Sequence, residues 1–197
     1  FLSTNSYFGY NVEINNTGAV VSQGTISNNG FLFIDTSQIT TENKIDNTNT
    51  TIVLNSDNDI RFSFYNNYLI TASNGNSPTL HAYDLSDLNT KYELENFNSE
   101  NIYSLTISDN KLYISINQAI NQHNIIYLYG YTINENSDND PPINLVQIIN
   151  LNIDYLHIIN NPTYESLFTD ISVFSPFGSN IAATKNGNES NKDLIAI

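Results

Sequence analysis

The feature that most constrains this chain is a segment that recurs three times at near-constant spacing. Phe31-Leu32-Phe33-Ile34-Asp35-Thr36-Ser37-Gln38 aligns with Leu80-His81-Ala82-Tyr83-Asp84-Leu85-Ser86-Asp87, and again with Leu128-Tyr129-Gly130-Tyr131-Thr132-Ile133-Asn134-Glu135. The equivalent points Asp35, Asp84 and Thr132 lie 49 and then 48 residues apart. Each copy is preceded by a turn and another strand-like run, at Gly18 to Ser22, Tyr68 to Ser73 and Lys111 to Asn117. Each is followed by a more polar run, around Thr51 to Leu54, Lys91 to Leu94 and Asn144 to Asn150. Self-similarity at such a period means an array of like units.

The runs have the period of strands. Leu112, Ile114 and Ile116 alternate with Tyr113, Ser115 and Asn117, and the runs are bounded by Asn, Asp, Gly and Ser. No segment carries a 3.6-residue stripe. Ile143 to Ile159 comes nearest to a helix, but it is rich in β-branched residues, uncapped, and follows Pro141-Pro142; it reads as strand. Four strands in just under fifty residues is the arithmetic of a β-propeller blade. The predicted fold is therefore all-β, built of four-stranded antiparallel blades. Blade-like units are expected over about 1–57, 58–100 and 101–152, with a partial unit over about 165–197. A single blade cannot bury both faces alone and must stack on neighbours. The third strands should be apolar on both faces, as Ile126 and Leu128 set against Ile125, Tyr127 and Tyr129 suggest. The fourth strands, one of which carries Lys91, Glu93 and Glu95, should be solvated outer edges.

Composition narrows the partners. The chain is 40% hydrophobic and 12% aromatic, ample for a core in 197 residues. Asparagine supplies about one residue in six, which suits a turn-rich chain. A net charge of −14 with six Lys+Arg opposes nucleic-acid binding, which needs a basic face to release counterions. It also disfavours an anionic membrane surface, and the apolar runs fall far short of the roughly 20 residues of a membrane span. There is no cysteine, so disulfides and thiolate metal sites are excluded. There is no methionine and the first residue is Phe1, so a processed product or a piece of a longer chain is expected. The sequons at Asn15, Asn49 and Asn188 are about as many as chance gives in this composition.

The candidates for chemistry are few. His81, His123 and His157 are isolated from one another and from metal-binding spacings; they read as structural or surface residues, His81 in a core strand and His123 in a loop. No GxSxG elbow accompanies a Ser/His/Asp set. Glycoside cleavage needs only two carboxylates, but the pairs Asp57/Asp59 and Asp138/Asp140 sit in Asn-rich turns and read as solvated turn residues. Arg61 is the single arginine, too few for a cluster that grips a substrate carboxylate. No catalytic, cofactor or metal residue is assigned, and a non-enzymatic role is expected.

Two stretches resemble a known family. Tyr7-Phe8-Gly9-Tyr10-Asn11-Val12-Glu13-Ile14, then Gly18-Ala19-Val20-Val21, then Asn29-Gly30-Phe31-Leu32-Phe33, resembles the FG-GAP repeat of integrin α-chain propellers. Pro176-Phe177-Gly178-Ser179-Asn180-Ile181-Ala182-Ala183, followed by Asp193-Leu194-Ile195-Ala196-Ile197, looks like the first half of another. The resemblance covers about sixty residues; the middle units, opening at Arg61-Phe62-Ser63-Phe64 and Tyr103-Ser104-Leu105-Thr106, lack the Phe-Gly pair. It implies a ring of about seven blades, extracellular or at the cell surface, serving adhesion, ligand binding or assembly, with a protein or glycan, or further copies of the same assembly, as partner. A carbohydrate-active propeller and a structural subunit of a filament, sheath or virion are the rival readings. Half a ring leaves blade faces open, so the chain is expected to pack against more protein. FG-GAP repeats often hold calcium. Here, with Asp193 in the last ligand place, Lys185, Gly187 and Glu189 fall on the first, third and fifth, and Ser190 on the turn glycine. The Asn15-Asn16-Thr17-Gly18 loop is short and has no acid. A lysine repels the ion and a glycine offers no side-chain oxygen, so no tight calcium site is expected.

Overall fold

The computed structural model describes residues 7–14, 19–24, 30–34, 50–54, 59–73, 77–97, 101–120, 123–136, 138–153, 181–185 and 193–196. All regular structure among them is β, in fourteen strands. These are β1 (Tyr7–Ile14), β2 (Ala19–Gly24), β3 (Gly30–Ile34), β4 (Thr50–Leu54), β5 (Asp59–Tyr65), β6 (Tyr68–Ser73) and β7 (Thr79–Asp84). They continue as β8 (Asp87–Asn96), β9 (Asn101–Ser108), β10 (Lys111–Ile120), β11 (His123–Glu135), β12 (Ile143–Ile153), β13 (Ala182–Lys185) and β14 (Asp193–Ala196).

The strands pair in chain order. β1-β2-β3-β4, β5-β6-β7-β8 and β9-β10-β11-β12 form three four-stranded sheets, and β13 pairs with β14. Every pairing with a resolved register is antiparallel. Residues 31–34, 80–84 and 128–135 of the three recurring segments lie in β3, β7 and β11, each third in its sheet, while 35–38 lie outside the described residues. The stretch from Ile143 is strand as far as Ile153; its continuation to Ile159 lies outside the described residues. So does most of the second Phe-Gly stretch, up to Asn180.

Short hairpins are set by asparagine and aspartate. β5 and β6 are joined by Asn66-Asn67, and β9 and β10 by Asp109-Asn110, with Tyr65 facing Tyr68 and Ser108 facing Lys111 across the turns. Asn66 has φ 47 and Asp109 φ 58, the left-handed region that these two residue types tolerate best after glycine and that primed hairpin turns require. In both sheets the second turn residue is then tied to the chain one residue beyond the last one of the third strand that pairs with the second, Asp84 in one sheet and Thr132 in the other. Leu85 N–H donates to the Asn67 carbonyl at 2.9 Å, and Ile133 N–H to the Asn110 carbonyl at 2.8 Å. The same device at equivalent places makes the second and third sheets structural repeats of each other.

The chain divides into two compact units, Phe1–Asn98 with Ser137–Ile143, and Ser99–Asn136 with Asn144–Ile197. In the first, register puts Phe62, Leu69, Thr71, His81 and Tyr83 on one face of the second sheet. Phe62, Leu69 and Tyr83 form a buried cluster with Phe33 of β3, so the first two sheets stack by their faces. The opposite face of the second sheet is buried too, with Ser63, Ile70, Leu80, Ala72 and Ala82 at most 5% exposed.

In the second unit, Tyr113 and Leu128 pack with Ile181, and Ile149, Ala183 and Ile195 close around them, so the β13-β14 pair covers one face of the third sheet. Ile181 N–H donates to the Ser104 hydroxyl at 3.0 Å across this contact. Leu112, Ile114 and Ile116 on the other face are fully buried. Tyr113 and Ser115, which strand alternation would turn to water, are 2% and 1% exposed. Covering both faces of one sheet is what overrides the alternation. Gly130 sits where the Tyr113 ring crosses its strand; a Cβ there would lie 3.1 Å from Tyr113 Cε1 and 3.1 Å from Ile149 Cβ, a close approach that a side chain could enter only if the ring or Ile149 gave way.

Candidate functional site

Turn chemistry engages two carboxylates of the second sheet. Asp84 Oδ1, at the end of β7, accepts from Ser86 N–H at 2.8 Å, from the Ser86 hydroxyl at 2.6 Å and from Asn67 Nδ2 at 3.2 Å. Asp87 Oδ1 accepts from Asn89 N–H at 3.1 Å and Asn89 Nδ2 at 3.2 Å, and Oδ2 from the Thr90 hydroxyl at 2.8 Å. These are Asx-type turns in which the side chain substitutes for a backbone acceptor. The Thr90 hydroxyl, then the Asn89 backbone and side chain, hold the Asp87 carboxyl below the usual aspartate range against a small opposing effect of desolvation. Both acids are committed to shaping the β7-β8 connection.

The residues singled out in sequence do not converge. His81 is buried in β7, directly across from Thr71, whose hydroxyl is buried without a hydrogen-bond partner. His123 opens β11 opposite Ile120; it is a strand residue, correcting the loop expected for it, because the β10-β11 hairpin is longer than the hairpins of the second sheet. His157 and Asp57 lie outside the described residues. Asp59 starts β5 opposite Ser73, while Asp138 and Asp140 are exposed ahead of β12. Arg61 is half-buried in β5. Lys185 and Asp193, the ends of the stretch aligned to a calcium loop, face each other as the closing pair of β13 and β14; Gly187, Glu189 and Ser190 lie outside the described residues. Among the described residues no group of three or more His, Asp or Glu side chains converges.

Surface apolarity is concentrated in one place. Four large hydrophobic residues among those described are exposed, and three of them, Val146, Ile148 and Leu151, belong to β12. β12 is the outer strand of the third sheet, eleven residues long, without a single charged side chain. Beside it, half-buried Tyr127 and Tyr129 and buried Tyr131 line up along β11, with ring centroids 6.1 and 6.5 Å apart. A long, uncharged, apolar edge strand is a template for another strand. Strand reading missed it by expecting every fourth strand to be a solvated edge. The signal was present in the absence of Asp, Glu, Lys and Arg between Asp140 and Asp154.

Compared with protein-family models, with curated proteins and with solved structures, the chain gives no match.

Proposed function

We propose that this chain is a non-catalytic segment of β-propeller type, resembling the FG-GAP repeats, that works at the cell surface or outside the cell by presenting sheet edges and faces to a protein or glycan partner or to further copies of its own assembly. The observation that carries the reading is the repetition of one four-stranded unit down to its turn conformation and its turn-to-strand hydrogen bond. It is joined by burial on both faces of the central strands of the second sheet, where Ile70, Ala72, Leu80 and Ala82 on the face away from Phe33 are at most 1% exposed, which is the condition of a blade within a stack. Asp84 and Asp87 already serve turns.

Catalysis is the reading to test against. Incubation of the chain at high concentration with chromogenic aryl glycosides and with native oligosaccharides should release nothing beyond a heat-denatured control. Release that disappears on replacing a single Asp or Glu by its amide would overturn the proposal in favour of a glycoside-cleaving propeller.

A further inference from the structure

We infer that β12 is a self-recognition strand: two copies of this chain pair edge to edge through it, antiparallel, across a two-fold axis at Gln147. Among the described residues no strand pairs with the outer side of β12, so a row of its backbone donors and acceptors faces outward. Val146, Ile148 and Leu151 are 51%, 46% and 53% exposed there.

The occupant is specified by the strand itself. From Ile143 to Leu151 the sequence Ile-Asn-Leu-Val-Gln-Ile-Ile-Asn-Leu reads as the same alternation of apolar and amide residues in either direction. Antiparallel pairing about Gln147 sets Val146 against Ile148, Leu145 against Ile149, Asn144 against Asn150 and Ile143 against Leu151, each contact occurring twice. Every apolar residue meets an apolar one and every amide an amide, the self-complementarity that an isologous contact demands. An antiparallel ladder accepts either hydrogen-bonding phase at its centre, so the axis at Gln147 fits whichever side its backbone faces.

Charge points the same way. Two copies carrying −14 each repel, and β12 is a long stretch of surface on which they can meet without opposing acids. The other uncharged strands serve less well. β9 lies against β13 and is largely buried, and β4 has five residues, Thr-Thr-Ile-Val-Leu, with no such symmetry. The pairing deepens the assembly reading above and names its partner as a second copy. Its failure would leave a non-catalytic module standing, while glycoside release would sink that module and leave the pairing untouched.

Sedimentation velocity over a range of concentrations tests it. The native chain should show twice the monomer mass at high concentration, with several-fold tighter association when salt shortens the reach of the acid repulsion from about 30 Å to about 3 Å. The double variant V146K/I148K, at exposed positions, should keep its melting temperature and remain monomeric throughout. A native chain that stays monomeric, or a variant that still dimerises, overturns the proposal. Register is read with spin labels, since the chain has no cysteine of its own. A label on Gln147→Cys should report one short inter-chain distance, and a label on Asn144→Cys about 20 Å, six residues at roughly 3.3 Å each. A short distance at both positions means parallel, in-register stacking of the fibre kind and contradicts the two-fold.

Discussion

β8 and β12 occupy the same place, fourth and outermost, in sheets that share their turns and their hydrogen-bonded closures, yet they present opposite surfaces. β8 sets Asp87, Asn89, Lys91 and Glu93 outward and Leu88, Thr90, Tyr92 and Leu94 half inward, a strict alternation. β12 has no charge, and its three exposed apolar residues lie in the middle and far half of the strand. A repeat therefore fixes where a strand lies and leaves its outer surface free to differ. Charge on β8 blunts the edge against pairing; nothing on β12 does.

The comparison requires that the two cores be alike, and this gives the largest expected effect. Leu69 and Leu112 occupy equivalent positions in β6 and β10, each 0% exposed. Leu69→Ala and Leu112→Ala should each cost about 2–5 kcal/mol in chemical denaturation, with similar values for the two. A cost near zero in one sheet only would break the equivalence.

A smaller effect separates the third strands. Gly130 stands where β7 has Ala82, beneath the Tyr113 ring. Gly130→Val should destabilise by about 1–3 kcal/mol through overpacking, and the double variant with Tyr113→Ala should show coupling of the two positions. Strict additivity would mean that the close approach carries no energy.

The edges themselves should matter little for folding. Lys91→Val with Glu93→Val in β8 changes exposed side chains and should shift stability by no more than about 0.5 kcal/mol. The same variant should nevertheless gain concentration-dependent association in light scattering, because it converts a guarded edge to an open one. A variant as monodisperse as the parent β8 would show that charge is not what guards it.

The smallest effect is electrostatic and belongs to β8 alone. The folded Asp87 carboxyl titrates below the usual aspartate range, so its contribution to stability is present above that range and is lost as pH falls through the folded value. Asp87→Asn should flatten this part of the acid-unfolding profile below about pH 4, with a small loss of stability at neutral pH and none at the acid end, where the native carboxyl is protonated. An equal acid response in the two proteins would remove Asp87 from the turn's account.

Much of this was legible in the sequence because period and punctuation are local signals. The near-constant spacing of the recurring segments marks the third strands β3, β7 and β11, and the neighbouring runs mark the second and fourth. Burial was harder. Tyr113 and Ser115 look half-solvated by alternation, and only coverage of both faces places them inside. His123 was misplaced because hairpin length depends on where pairing stops, which in β10 and β11 runs on to Ile120 and His123. The apolar surface of β12 is hidden in the sequence for a different reason. Asn144, Gln147 and Asn150 give β12 the pattern of a solvated strand, and only the absence of charge together with the symmetry about Gln147 sets it apart.

Amide hydrogen exchange, followed strand by strand in dilute and concentrated solution, tests the contrast between the two edges most directly. Protection of alternate β12 amides, those facing away from β11, should rise with concentration, while β8 exchanges at the same rate in both. Concentration-independent exchange in β12, or an equal gain in β8, would contradict the account.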